Sequence, residues 1–211
     1  MTELFVSAFV TLFVVIDPPG CAPIYAGLAS EAPPRQQRLM ALKAVLVATL
    51  ILLGFALFGE KLLHATHIEL DSFRIAGGIM LFFIAIDMVF ENRTKRREAR
   101  AEKVRAHNAQ TPEIEDVSVF PMAMPMIAGP GAIATIMLLV GEAHGAEGTL
   151  VVLAALAAVM ALLAVALLLA PAIIRLVGAS VESAITRLLG VLLAALAAQY
   201  VIDGVKGSFG L

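Results

Sequence analysis

The sequence predicts an all-α fold, an integral membrane helical bundle in which six hydrophobic segments form two inverted three-helix repeats with broken first and fourth helices. Three observations predict it. Of the 211 residues 60% are hydrophobic and 15% charged, with a mean hydropathy of +0.93. That is far more apolar surface than one soluble core can use. Apolar segments run at about 4–28, 39–58, 73–90, 117–140, 150–174 and 184–202, each near or above the ~20 residues that cross a hydrocarbon core as a helix. Finally, Pro19-Gly20 and Pro130-Gly131 place the same break inside two of these segments, 111 residues apart.

The first segment holds the break "DPPGCAP". Pro18, Pro19 and Pro23 lack an amide and Gly20 permits turns that other residues resist, so a continuous helix is not expected there. The half-helix that follows, marked by Cys21 to Pro23, then offers free N–H groups and a partial positive charge to an anion such as a carboxylate. The half-helix that precedes it ends in free carbonyls at Val15 to Asp17, suited to a cation or an ammonium group. Asp17 is the only acidic residue well inside this segment, roughly 20 Å along a helix from Leu4 at 1.5 Å per residue. A carboxylate at that depth is a candidate to bind a substrate ammonium, to bind a coupling ion or to carry a proton; the structural alternative is a cap on the second half-helix. Cys21 is the only cysteine, which rules out an internal disulfide and the two-Cys zinc patterns. The acidic start Met1-Thr2-Glu3 shows no cleavable signal, so the first segment is expected to stay.

The second and third segments extend the repeat. Aligning the two Pro-Gly pairs lays 39–59 on 150–170 at the same offset, and Arg74-Ile75-Ala76-Gly77 matches Arg187-Leu188-Leu189-Gly190 at an offset of 113. Each copy holds an odd number of spans, so the second enters the membrane facing the other way. Broken helices at matching positions of inverted repeats point to a transporter binding site. His64 and His67 form an H-x-x-H without further ligands, and no metal site is expected. Asp87 and Asp203 lie near segment ends, where interfacial solvation is the default.

The 91–117 connection is the one extended polar region, with a basic stretch from Arg93 to Arg105 and then Glu113, Glu115 and Asp116. It reads as a solvated linker that fixes topology, with lipid contact or regulatory docking as the functional alternative. Nucleic acid is not an expected partner, because a basic stretch beside a span follows from topology alone. The chain is thus expected to divide into a first repeat at 1–90, a basic cytoplasmic loop at 91–117 and a second, inverted repeat at 118–211. With the N-terminus outside, twelve of the fifteen Lys and Arg fall on inner loops and only Lys61, Arg74 and Lys206 outside, which predicts two periplasmic termini.

The fourth segment carries P-x-x-x-P-x-x-x-G-P-G from Pro121 through Pro125, Gly129, Pro130 and Gly131. Ala132 to Ala134 mark its second half-helix, and carbonyls at Ile127 to Gly129 close its first. Whether segments one and four span or re-enter is open at this level. Here the residue matching Asp17 is Ala128, so a charge would serve one repeat only. The fifth and sixth segments place Ala154, Ala157, Ala158, Ala161, Ala194 and Ala198 at small-xxx-small spacings, read as packing faces within one subunit or in a homo-oligomer. Substrate-binding candidates are Asp17, Pro19, Gly20, Cys21, Gly129, Pro130, Gly131 and Thr135. Thr11, Tyr25 and Gln199 are candidates to line a cavity, each with ordinary helix packing as its structural alternative.

The motifs "DPPGCAPIYAGL" at 17–28 and "FPMAMPMIAGPGAIATIM" at 120–137 resemble the paired signature of the MarC family of bacterial inner-membrane proteins, and size, six segments and basic central loop resemble it too. The family takes its name from an association with multiple antibiotic resistance; some archaeal relatives transport small neutral amino acids such as glycine and alanine. The resemblance implies a multi-pass protein of the bacterial inner membrane, similar to an amino acid transporter. One departure is Cys21, which follows Gly20 where many members carry Asn. Residues and resemblance together predict a secondary transporter of a small zwitterion, with H+ or Na+ as coupling ion and no cofactor. A second class is a non-transporting scaffold or regulator acting through the central loop. Enzyme activity is not expected, as G-x-S-x-G, H-E-x-x-H and a second intramembrane carboxylate beside Asp17 are missing, and no G-x-x-x-x-G-K-[ST] loop supports ATP-driven transport.

Overall fold

The computed structural model describes residues 1–30, 32–90, 102, 116–143 and 145–210. Most of the 91–117 connection, with its basic stretch, and also His107 and His144 lie outside the described residues. Every regular element among the described residues is a helix. The first half comprises α1 (Thr2–Ile16), α2 (Pro18–Leu28), α3 (Pro34–Ala65) and α4 (Leu70–Val89). The second comprises a wide-wound helix, π1 (Ser118–Ile127), then α5 (Pro130–Glu142), α6 (Gly145–Leu168) and α7 (Ala170–Phe209). Five helices, with α1 and α2 counted together as Thr2–Leu28, are long and apolar enough to cross a membrane. π1 and α5 make a sixth only as a pair bent by 55°.

Several boundaries differ from expectation. The fifth segment was to reach Ile174, but α6 stops at Leu168, and Ala170, Pro171 and the residues after them begin α7. Proline in the first turn of a helix lacks an amide that would have no partner anyway, so it starts α7 at no loss. α7 then runs for 40 residues, well beyond 184–202 at both ends, because polar residues such as Ser183, Asp203 and Lys206 interrupt hydropathy without interrupting helix formation. α3 likewise starts at Pro34 and ends at Ala65. Its middle, 44–59, is apolar on every face, as a helix between core and lipid must be: Ala44, Ala48, Leu52 and Ala56 are buried, while Leu46, Leu50 and Leu57 are exposed.

The element order of one half repeats in the other, and Pro34 and Gly145, which open α3 and α6, stand 111 residues apart like the Pro-Gly pairs. The packing is reciprocal. α1 packs on α6 and π1 on α3; α2 packs on α7 and α5 on α4; α3 meets α6 and α4 meets α7. Apolar side chains from both halves therefore share one core. The most extensive contact, α4 on α7, is antiparallel: Gly204 faces Asp71 and Ile75, Gly78 faces Ala197 and Val201, and Gly190 faces Met88 and Val89. A methyl group on Gly78 would lie 2.8 Å from the Ala197 carbonyl oxygen, so glycine here lets two backbones touch. The alanine stripes play a smaller part within the subunit: Ala154, Ala157, Ala161 and Ala198 are exposed and Ala158 half-buried, while Ala194 packs against the core. Hydropathy cannot tell which of several small-residue stripes a neighbouring helix covers.

Polar contacts tie the helix ends. Lys43 of α3 pairs with Asp116 at 2.5 Å, and Asp116 Oδ1 also accepts from the Ser118 amide at 3.0 Å. Burial alone would raise the Asp116 carboxyl, but the Lys43 bond, the Ser118 amide and the Lys43 charge outweigh it and hold it below the usual carboxylate range.

Gly78→Ala is expected to destabilise the protein by about 1–3 kcal/mol through overpacking. Gly54→Ala, where a methyl group meets nothing within 4 Å, is expected to be neutral or stabilising by up to ~1 kcal/mol; thermal unfolding in detergent distinguishes them. A carboxyl whose folded value lies below its unfolded one contributes stability above the unfolded value and loses it as pH falls through the folded one. Stability is therefore expected to drop below about pH 4. Asp116→Asn should remove a part of that drop, under ~1 kcal/mol because the paired side chains are 52% and 45% exposed.

Candidate functional site

The first break is a single residue. The Asp17 amide closes the last turn of α1 by donating to the Phe13 carbonyl at 2.9 Å, and Asp17 then turns left-handed, with φ 58° and ψ 63°. Asp is among the few residues other than glycine that tolerate this region. Pro18 and Pro19 open α2, three residues earlier than the Cys21 start expected from sequence, because prolines that cannot continue a helix are well suited to begin one. Asp17 Oδ1 accepts from the Gly20 amide at 3.1 Å and the Asp17 carbonyl from the Cys21 amide at 3.0 Å. The Cys21 thiol donates to the Ile16 carbonyl at 3.4 Å. Asp17 itself is 1% exposed.

These bonds correct the expectation of an open anion site after Gly20. Two of the first residues of α2 have no amide, and those of Gly20 and Cys21 are taken by Asp17. The expected free carbonyls of Ile16 and Asp17 are occupied by Cys21. Pro23, also expected to break the helix, is carried inside α2, which leaves the Pro19 carbonyl without that amide. Gly20 is required by its neighbour, since a methyl group there would lie 2.2 Å from Asp17 Oδ2.

The second break is built differently. Phe120 and Met124 are extended, at φ −126°, ψ 128° and φ −132°, ψ 128°, as residues before proline tend to be. The chain still winds, with amide bonds reaching five residues back from Met122 to Val117 and from Ala128 to Ala123. Gly129 precedes α5 and has no side chain with which to cap it; a methyl group there would lie 2.5 Å from the Pro125 carbonyl oxygen. Pro130 opens α5, two residues before the expected Ala132, and the first intrahelical bond runs from the Ile133 amide to the Gly129 carbonyl at 3.0 Å. The amides of Gly131 and Ala132 stand before it, at the positions that helices leave open.

The fold brings the two breaks together. A methyl group on Gly131 would lie 2.4 Å from Ile84 Cδ1 and 3.8 Å from Val15 Cγ1, so the start of α5 rests on α4 and on the last turn of α1. Thr135 follows Gly131 by one turn on the same face; it is fully buried and its hydroxyl has no hydrogen-bond partner. Cys21 and Thr11 are buried as well, Pro19 is half-buried and Pro130 exposed. Two candidates fall elsewhere. Tyr25 donates its hydroxyl to the Gln37 carbonyl, tying α2 to α3. Gln199 is exposed on α7, where it donates to Asp203 Oδ1 at 2.8 Å one turn along its own helix. Sequence reasoning passed over Gln37, whose side chain donates to the Ala29 and Ala32 carbonyls at 2.9 Å each and closes that turn. Its only signal is a Gln just after Pro33-Pro34. Among the described residues, no group of three or more His, Cys, Asp or Glu is placed to hold a metal ion.

Over residues 2–209 the chain matches the family described as MarC family integral membrane protein. It is similar to a UPF0056 membrane protein of Methanocaldococcus jannaschii, at 34% identity over 206 residues and 98% of each chain. Against a UPF0056 membrane protein of Aquifex aeolicus it is 34% identical over 204 residues, 96% of this chain and 92% of the relative. The UPF0056 inner membrane protein YhgN of Escherichia coli K12 is 32% identical over 206 residues, 98% of each chain. No solved structure matches.

Asp17→Ala is expected to cost about 0.5–2 kcal/mol by uncapping α2, and Gly20→Ala about 1–3 kcal/mol by overpacking. Because a methyl group at position 20 collides with the Asp17 carboxylate itself, the double variant should lose less than the sum of the two. Thermal unfolding followed by circular dichroism in detergent reads all three values.

Proposed function

The chain belongs to the MarC family of integral membrane proteins, and on that premise we propose that it is a secondary transporter of small neutral amino acids or similar small zwitterions, working by alternating access around its two helix breaks. The observation that carries the reading is the nearness of the breaks, the start of α5 at Gly131 lying within a methyl group's reach of Val15 on the last turn of α1, in a bundle of helices long enough to cross a membrane. Non-helical backbone at that depth is tolerated where protein or a water-filled cavity covers it. The two breaks offer opposite polarity. The open amides of Gly131 and Ala132, with the partial positive charge of the α5 start and the free Thr135 hydroxyl, suit a carboxylate. Asp17 and the Pro19 carbonyl suit an ammonium group. A small zwitterion has both ends and little between them, which fits two breaks so close together.

The reciprocal packing and the antiparallel α4–α7 pair support inverted repeats, and rocking of one half against the other then exposes the breaks to each side in turn. H+ or Na+ supplies the driving gradient. The name of the Escherichia coli relative and the placement of Lys and Arg support a bacterial inner membrane with both termini in the periplasm.

The test is flux of radiolabelled alanine and glycine into proteoliposomes holding the purified protein, with imposed H+ or Na+ gradients. Wild type is expected to show gradient-dependent flux and Asp17→Asn to lose it by about tenfold or more, the value of a hydrogen bond to a charged group. Flux that survives in the variant returns Asp17 to its capping role alone. No flux under any gradient overturns the amino acid reading and leaves either a transporter of another substrate or a scaffold acting through the central connection.

A further inference from the structure

Two ion pairs join one half of the chain to the other, or to the residues leading into it, at opposite ends of the bundle. Arg74, near the start of α4, donates from Nη1 to Asp71 Oδ1 at 2.6 Å on its own helix and from Nε to Glu142 Oε1 at 3.0 Å on the last residue of α5. Its side chain is only 16% exposed. Lys43 of α3 holds Asp116, just before π1, at 2.5 Å. Lys43 lies 22 residues before Ala65, where α3 ends and leads into α4, roughly 33 Å away at 1.5 Å per residue.

The core contacts between these joins are apolar and non-directional, so a small slide of one half over the other keeps most of them. An ion pair does not survive such a slide. In each pair one member keeps a second partner and the other reaches solvent, Glu142 at 36% and Lys43 at 52% side-chain exposure, which lowers the penalty for parting a buried pair. When Glu142 leaves, Arg74 still holds Asp71 on its own helix. When Lys43 leaves, Asp116 still accepts from the Ser118 amide, and Lys43 is half-exposed to solvent.

We propose that the two pairs are alternating latches: Arg74–Glu142 holds one face of the bundle shut, Lys43–Asp116 holds the other, and each parts while its counterpart stays closed. This rests on the alternating-access reading above. Both latches are made in the present structure.

Cys21, the single cysteine, is buried at the first break, so its alkylation by a membrane-impermeant maleimide reports opening of the bundle on whichever side the reagent is supplied. In oriented proteoliposomes wild type is expected to react slowly from both sides. Glu142→Gln should accelerate labelling about tenfold from the face that bears Arg74 only. Asp116→Asn should accelerate it about threefold from the opposite face only, its pair being more exposed. Glu142→Asp, which keeps a carboxylate facing Arg74, should label closer to the wild-type rate than Glu142→Gln does, an outcome that a merely loosened fold does not produce. Rates unchanged in the single variants, or raised equally from both faces, would overturn the proposal. Alanine and glycine flux in the same vesicles separates the two ideas. Sided labelling without flux keeps the latches and removes the amino acid reading, whereas flux with unsided labelling removes the latches and keeps the transporter.

Discussion

The hydrogen bond from the Gly20 amide to Asp17 Oδ1 is what lets a helix stop and restart inside an apolar bundle. Away from water, each backbone group left without a partner costs several kcal/mol. Asp17 removes most of that penalty within one turn: its amide completes α1, its left-handed backbone redirects the chain, its carbonyl takes the Cys21 amide and its carboxylate takes the Gly20 amide. The other features of the segment follow from this arrangement. Prolines can occupy the next two positions because no amide is needed there, glycine must occupy position 20 because the carboxylate lies over it, and α1 and α2 stay together as one span.

The second break meets the same demand without such a group. Ala128 has no side chain that can bond, Gly129 has none at all, and π1 satisfies its backbone by winding wide between extended residues. The result is a 55° bend and an α5 start with open amides. Reciprocal packing sets this open start against the closed break of the first half. The two breaks thus differ in what they leave open: the first has its Gly20 and Cys21 amides taken, and the second leaves those of Gly131 and Ala132 ahead of its first helical bond. A symmetrical pair would offer two anion sites or none.

The helical class and the two breaks were legible because they rest on signals that survive in one dimension: long apolar runs and proline placement. Helix ends were less legible. Ala170 and Pro171 look like the close of the fifth segment by hydropathy, yet backbone chemistry makes them the start of α7. The candidate site divides along the same line. That Asp17 mattered was readable from its depth, whereas its engagement with Gly20 required three-dimensional placement, and so did the loss of an open anion site after Gly20. Tyr25 and Gln199 went elsewhere because sequence shows that a polar residue lies in an apolar run but not which way its side chain faces. The close approach of α4 and α7 through Gly78 and Gly190 was hidden for the same reason.

Local satisfaction of the first break also bears on how the protein is made. A chain is synthesised from its N-terminus, so α1 and α2 enter the bilayer before α6 and α7, the helices that cover them, exist. For that interval the first interruption has no tertiary partner. The bonds that Asp17 makes with Phe13, Gly20 and Cys21, and the Cys21 thiol with Ile16, are local and can form without one. The uncapped second interruption emerges only after α3 and α4, on which π1 and α5 pack, are in place. The order of the two breaks along the chain therefore matches their needs: the self-contained one waits in lipid, and the dependent one arrives to a surface already built.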